Sequence, residues 1–402
     1  MKTWPTRLIV AFFLSIVAIG PPPAALAQAP IKIGLVQGFT GPLEVYAKQA
    51  KRGFELGLDY ATGGKKELLG RKIEILEEDD QLKPDVAKQK VTKLYADDKV
   101  DLVVGTTSSA AALAVLPVAA EFKKVLIVEP AVADSITGEN WNRYVFRTGR
   151  NSSQDAIANA LAVARPGVSI ATIAQDYAFG RDGVSAYKAA VEKAGAKVVH
   201  EEYTPTTATD FTAPIQKIIG ALKDKSGPKY VFVIWAGKGG PFGQLVDNRL
   251  DKYGITLTSG SNVLDALKAM KEGKLEGMVG GAYYYYEIPK NPVNDWLVRE
   301  HMKRFNEPPD FFTCGGFAAA MAVVAGIQKA GGTDTEKLIA AMEGLEFQTP
   351  KGKMIFRKED HQALQSMYSF KMVAKPEVAW LVPTLVRELS LQETAPPIMN
   401  KR

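Results

Sequence analysis

The stretch DLVVGTTSSAAALAVLPVAAEFKKVLIVEPAVADS (101–135) decides the fold. Two short apolar runs, 101–105 and 125–130, flank an Ala-rich segment whose apolar residues recur every three to four positions. Val- and Ile-rich runs without polar alternation read as strands buried on both faces, and the segment between them as a crossover helix. That is a βαβ unit, and the alternation continues on either side of it. Before it come IKIGLV (31–36), a helical stretch around 44–60, KIEILEEDD (72–80) and a helical stretch after Pro84. After it the pattern restarts: a helix at 153–164, VSIATIAQD (168–176), a helix at 181–194 ended by Gly195, AKVVHEEY (196–203), a helix at 210–223, KYVFVIWAG (229–237), a helix at 241–253, ITLTSG (255–260) and EGMVGGAYYYY (276–286). The expected fold is α/β, with two doubly wound parallel-sheet lobes joined by crossovers near Arg147–Asn151. Helices near 292–305, 314–330 and 334–343, then strands near 351–356 and 365–373, should complete one or both sheets. Residues 383–402, polar and Pro-containing, read as a tail.

Composition agrees with this and narrows the chemistry. The 402 residues exceed what one core usually supports, and 46% hydrophobic with 23% charged residues describes an ordinary globular chain. Lys and Arg number 50 against 44 Asp and Glu, with the signs mixed along the chain, so no nucleic-acid footprint is visible. One Cys, Cys314, excludes an intramolecular disulfide and a thiolate metal cluster.

The first residues carry a targeting pattern. Lys2 and Arg7 precede LIVAFFLSIVAIG (8–20), three prolines and Ala25-Leu26-Ala27. A basic start, a short apolar run and a small-x-small site make a signal peptide, expected to be cleaved after Ala27. The apolar run is too short to span a bilayer, and no Cys follows for lipid attachment. Cleavage removes Lys2 and Arg7 and lowers the formal charge from +6 to +4.

No enzyme motif emerges. His200, His301 and His361 have no metal-ligand spacing, GVSIA (167–171) fails the hydrolase elbow at its last position, and no G-K-[ST] exists. The glycines at 237, 239, 240 and 243 do not form a dinucleotide fingerprint. Cys314, at a helix start, reads better as a small buried residue than as a nucleophile. Cofactors are expected to be absent.

Binding chemistry is better supplied. Ligands of parallel α/β sheets collect at the carboxyl ends of strands and at helix N-termini. Gly105-Thr106-Thr107-Ser108-Ser109 runs from a strand into a helix and offers amides and hydroxyls for a carboxylate, or simple capping. Pro130 to Ser135, Gly38 to Pro42 leading to Tyr46, and Asp176 to Gly180 end other strands. Tyr283–Tyr286 sit at a predicted strand end, where alternation sends two to each face.

In their order, IKIGLVQGFTGPLEVYA, DLVVGTTSS, VLIVEPAVADS, YVFRTGRNSSQDA, AQDYAFGRDG and TPKGKMIFRKEDHQA resemble the type I periplasmic binding proteins of the leucine/isoleucine/valine-binding family. These serve ABC importers, and the likeness covers about 31–380. It implies two lobes, 31–149 plus 283–354 and 150–282 plus 355–380, three hinge crossovers and a cleft that closes on a ligand. It also implies a periplasmic location, a small-molecule carboxylate ligand, an inner-membrane permease as partner and a monomeric state.

By motif, the resemblance places the carboxylate-holding serine at Ser108 or Ser109, with Ala131, Val132 and Ala133 beside it. Tyr46, Phe179 and Phe312 fall at its aromatic positions, and Trp235 and Tyr285 are further candidates to clamp an apolar ligand. Two departures stand out. The acidic residue that pairs with an amino-acid ammonium is replaced by Ser259-Gly260-Ser261-Asn262, and a ligand-holding tyrosine falls at Lys238. An ammonium closed in without a counter-ion loses several kcal/mol, so an aromatic acid suits Ser261 and Asn262 better than an α-amino acid. Asp176 or Glu287 could still supply the charge, which keeps a branched-chain or other hydrophobic amino acid as the alternative. Arg147 and Arg150, near the crossover, could add positive charge or form hinge ion pairs. A periplasmic sensing subunit is the alternative of another class.

Overall fold

The computed structural model describes residues 28–260, 263–273 and 275–401, with Met1, Lys2 and Trp4. The apolar part of the expected signal peptide, its cleavage position, and the candidate residues Ser261 and Asn262 lie outside the described residues.

Two parallel sheets carry the chain. The first runs in the order Glu67–Leu68, Arg71–Asp79, Ile31–Gln37, Leu102–Gly105, Val125–Val128, Val145–Arg147; only its outermost pair is antiparallel. One face packs on helices Pro84–Ala96 and Ser109–Phe122 through Val91, Leu94, Val115 and Leu116. The other packs on helices Glu44–Ala61 and Phe311–Ala330 through Phe54, Leu58, Val323 and Ile327. The second sheet, Ile255–Ser259, Lys229–Ile234, Ser169–Gln175, Lys197–Thr204, is wholly parallel. It is covered by Thr212–Leu222 on one face and by Ser152–Val163 and Ala178–Lys193 on the other. Central strands covered on both faces need apolar side chains at successive positions, which is why their sequences show no alternation.

The strand orders locate the cleft. In the first sheet Ile31–Gln37 lies between Arg71–Asp79 and Leu102–Gly105; in the second, Ser169–Gln175 lies between Lys197–Thr204 and Lys229–Ile234. At each such reversal the crossover helices leave on opposite faces, and a crevice opens at the carboxyl ends of the strands. The two crevices face each other. Contacts already join them: the Gly237 N–H donates to Tyr46 Oη at 2.9 Å, Ser135 donates to Asp182 Oδ2 from N–H and hydroxyl at 2.9 and 2.8 Å, and the Leu264 N–H lies 3.0 Å from Asp310 Oδ2.

Two expectations need correction. Residues 383–389 are not tail: Leu381–Leu389 is a strand antiparallel to Met367–Ala374, which also pairs with Val279–Ala282. Its buried ends, Leu381, Val382 and Leu389, flank an exposed middle, so an edge strand there has a tail's polarity. The four tyrosines do not alternate either, because the strand ends at Ala282 and Tyr283–Tyr286 follow an irregular path.

Helices Glu44–Ala61 and Phe311–Ala330 cross at glycines. A Cβ on Gly316 would sit 1.9 Å from the Ala50 carbonyl oxygen, and one on Gly53 equally close to that of Thr313. Among the described residues, Phe311–Ala330 is the one helix long and apolar enough to cross a membrane, and it serves as the core of this lobe. Gly316→Val is expected to destabilise the protein by about 3 kcal/mol, since the obstacle is backbone that a rotamer change cannot clear; the midpoint of urea unfolding reads this directly.

Candidate ligand cleft

The cleft encloses about 860 Å³, counting space open to solvent. From the first lobe come Leu43, Tyr46, Thr107, Ser109, Pro130, Ala131, Val132, Phe311 and Phe312; from the second, Tyr177, Phe179, Phe232, Ile234 and Trp235; and from the crossover, Arg150, Ser152 and Asp155. Of the residues expected from sequence, Tyr46, Ser109, Ala131, Val132, Phe179, Trp235 and Phe312 line it together.

The others stand elsewhere. Ser108 is buried at the N-cap position of helix Ser109–Phe122 without lining the cleft. Ala133 is wholly buried, its N–H on Ser109 Oγ and its carbonyl on Arg147 Nη1. Lys238 lines a neighbouring recess with Gln49, Gly240, Asp265 and Asp310. Tyr285 packs in the second lobe's core, where its hydroxyl accepts the Trp380 indole N–H at 3.1 Å. Neither possible replacement for the missing carboxylate lines the cleft: Asp176 pairs with Arg181 at 2.6 Å, and Glu287 is exposed.

The carboxylate cradle differs from its sequence outline. The amides of Val132 and Ala133 are spent on Ser109 Oγ, at 3.3 and 3.2 Å. With its lone pairs so used, the serine hydroxyl has a proton left to donate, and it stands at the start of a helix whose first turn has no side-chain cap. Thr107, beside it, is committed: it donates to Gln37 Oε1 at 2.7 Å and accepts the Gly38 N–H.

The second wall is aromatic. Tyr46 stacks on Phe312 with centroids 4.2 Å apart, and Trp235 meets Phe211 edge-on at 5.1 Å. Arg150 bridges the charged and aromatic parts. Its guanidinium carbon lies 4.6 Å from the Phe311 centroid, 5.6 Å from that of Tyr283 and 5.7 Å from that of Phe312, and its Nε is 3.2 Å from Asp155 Oδ2. Cation–π contact and a weakly hydrated planar cation suit such a site. Its neighbour Arg147 plays a different part: it is fully buried under the hinge and bonds Ala133, Thr137 and Gln362. Asp155 escaped the sequence reading because an acidic residue in a helix's first turn ordinarily serves the helix dipole.

Behind the aromatic floor lies a buried ionisable group of side chains. Burial pushes the Glu129 carboxyl up to about 7 although Arg150 and Thr148 favour its charge, and burial pulls the Lys351 ammonium down to about 7. Lys351 donates to Gln365 Oε1 at 2.8 Å and lies 3.7 Å from the Tyr283 ring centre. Burial also raises Asp155, opposed by Arg150 and Lys351, and raises the thiol of Cys314 beyond any nucleophilic range. No group of three metal-ligating side chains occurs among the described residues.

Two facing crevices at strand ends and one aromatic cleft between them outline a receptor for a small solute. A sequence model for periplasmic binding proteins matches residues 30–376. The chain belongs to that family. It is a periplasmic substrate-binding protein of an ABC transporter. This periplasmic binding protein is similar to the Leu/Ile/Val-binding protein homolog 6 of Brucella abortus, with 27% identity over 86% of this chain and 88% of the relative. It is similar to a structure of an ABC-type branched-chain amino acid transporter from Rhodopseudomonas palustris CGA009, with 63% identity, TM-score 0.83 and coverage of 92% of this chain and 100% of the other. A solute-binding protein from Rhodopseudomonas palustris BisB5, in complex with 3,4-dihydroxybenzoic acid, shares 27% identity with TM-score 0.77 over 90% of this chain and 98% of its own. These structures share its α/β fold with parallel-sheet cores.

The Glu129 carboxyl gives this binding protein a testable pH response. An acid whose pKa is higher folded than unfolded, about 7 against about 4.3, holds its proton more tightly in the folded state. Its contribution to stability is therefore fullest below the unfolded pKa and lost as pH rises through 7. Relative to wild type, Glu129→Gln should be more stable at pH 8 than at pH 5, as judged by urea unfolding at both.

Proposed function

We propose that this binding protein captures a small carboxylate with an aromatic or apolar body, an aromatic acid foremost, and delivers it as a monomer to an inner-membrane permease. The carrying observation is Arg150: it is the one cation lining a mainly aromatic and aliphatic cleft among the described residues, and its two terminal nitrogens have no protein acceptor there. A carboxylate between Arg150 and the Ser109 hydroxyl would take charge-assisted hydrogen bonds from both. The ring would then lie among Phe179, Trp235, Phe312 and Tyr46, burying apolar surface from both lobes at once.

Binding drives closure because only the closed form offers both walls, so the ligand shifts the equilibrium by the contacts it gains there. The closed pair of lobe edges is the surface a permease reads. The dihydroxybenzoate-bound relative supports an aromatic acid as cargo. A branched-chain amino acid is the second reading: Asp155 beside Arg150 matches an ammonium beside a carboxylate, and the names of the Brucella relative and the CGA009 structure point that way.

A thermal-shift series of benzoate, hydroxybenzoates and cinnamate against leucine, isoleucine and valine separates the two, since a ligand that binds only the folded state raises the melting temperature. Shifts with the aromatic acids are expected; a shift with leucine alone overturns the assignment. Arg150→Lys keeps the charge but loses the planar fork, and should weaken aromatic-acid binding about tenfold by isothermal calorimetry.

A further inference from the structure

The Arg150–Asp155 pair raises a question the cargo assignment leaves open. Asp155 belongs to the first turn of helix Ser152–Val163 and lines the cleft itself, with Oδ2 3.2 Å from Arg150 Nε. A ligand carboxylate that reaches the Arg150 terminal nitrogens comes to share one guanidinium with this second carboxylate. Two carboxylates on one cation in a mainly apolar cleft repel, and the system relieves this by protonating one of them.

The surroundings say which one. Of the charged groups acting on Asp155, Arg150 reaches it by hydrogen bond and Lys351 acts from beneath the aromatic floor. Glu129 faces Arg150 and Lys351 from the end of strand Val125–Val128, and Arg147, Tyr283 and Cys314 complete the ionisable set. Burial already favours the neutral form of Asp155 and opposes Arg150, whereas an incoming benzoate-like anion arrives ionised at neutral pH.

We infer that Asp155 is the specificity-determining residue of the cleft: it competes with the ligand's carboxylate for Arg150, so that a monoanionic ligand binds with uptake of a proton at Asp155, whereas a zwitterion would keep Asp155 charged as the partner of its ammonium. The inference rests on the carboxylate assignment above and extends it. It makes one side chain both the seat of choice between anion and amino acid and the source of a pH dependence in capture. Asp155 acts on the anion through Arg150 and is in that sense a positioning residue.

Sign and size follow from linkage. If binding takes up a proton, affinity for the anion falls as pH rises, by up to about tenfold per unit for one whole proton. Benzoate stays ionised between pH 6 and 8, so its own titration does not contribute. Calorimetry of the full-length mature protein with benzoate, run in two buffers of different ionisation enthalpy, measures the uptake directly and needs no variant. A fraction of a proton taken up at pH 7, with Kd rising about fivefold or more from pH 6 to pH 8, is expected.

Asp155→Asn should abolish most of that slope and tighten benzoate at pH 8, while Glu129→Gln, outside the cleft, should retain it. Benzoate binding with no proton uptake, or with equal pH slopes in wild type and Asp155→Asn, overturns the inference and leaves the aromatic-acid assignment standing. Failure of benzoate, hydroxybenzoates and cinnamate all to bind, with leucine binding and lost in Asp155→Asn, overturns the aromatic-acid assignment and the proton-uptake inference together.

Discussion

A guanidinium shut away from water holds the hinge in place. Arg147 is fully buried, and its donors reach the Ala133 carbonyl, the Thr137 hydroxyl and the Gln362 side chain, which come from a first-lobe loop and a returning crossover. Burial pulls it down to about 10, which still leaves it charged, and the partial charges around it offset the loss of water. From this tie the cleft follows in order. Ala133, held by its carbonyl, presents its amide with that of Val132 to Ser109 Oγ, and Arg150 emerges three residues later among Phe311, Phe312 and Tyr283.

The division of labour between two nearby arginines reflects what surrounds each. Arg147 spends its donors on neutral oxygens, with the Asp134, Asp360 and Asp182 carboxylates farther off supporting its charge, and is structural. Arg150 meets rings and one carboxylate, with two nitrogens left for the cleft. A binding protein has to close over its cargo and release it again, so most of its cleft should contribute shape and apolar area, with few strong polar bonds. One cation, the acid beside it and one hydroxyl proton left to donate meet that requirement, and the aromatic stack of Tyr46 on Phe312 carries a hydroxyl across to Gly237 of the other lobe.

The fold was legible because its signals are local and periodic. Runs such as LVVG and VLIV need no partner to be recognised, and the helices between them follow from three-four spacing. The cleft was legible to the extent that it lies at strand ends: Ser109, Ala131, Val132, Phe179 and Trp235 all lie within a few residues of one. The tyrosine row misled because alternation applies only inside a strand, and this one ends at Ala282. The final strand misled because an exposed edge has a tail's composition. Lys238 sits in a Gly-rich loop and lines the adjoining recess, which shares Tyr46 and Trp235 with the cleft.

The sequence by itself determined the two-lobed α/β class, the absence of disulfides and the loops from which a cleft is built, because each depends on residues near one another in the chain. Only the tertiary structure decided which charges meet. Asp155 looks like a helix-capping acid until Arg150 is seen folded back against it over Phe311. Electrostatic pairing depends on distance in space, and spacing along the chain does not report it.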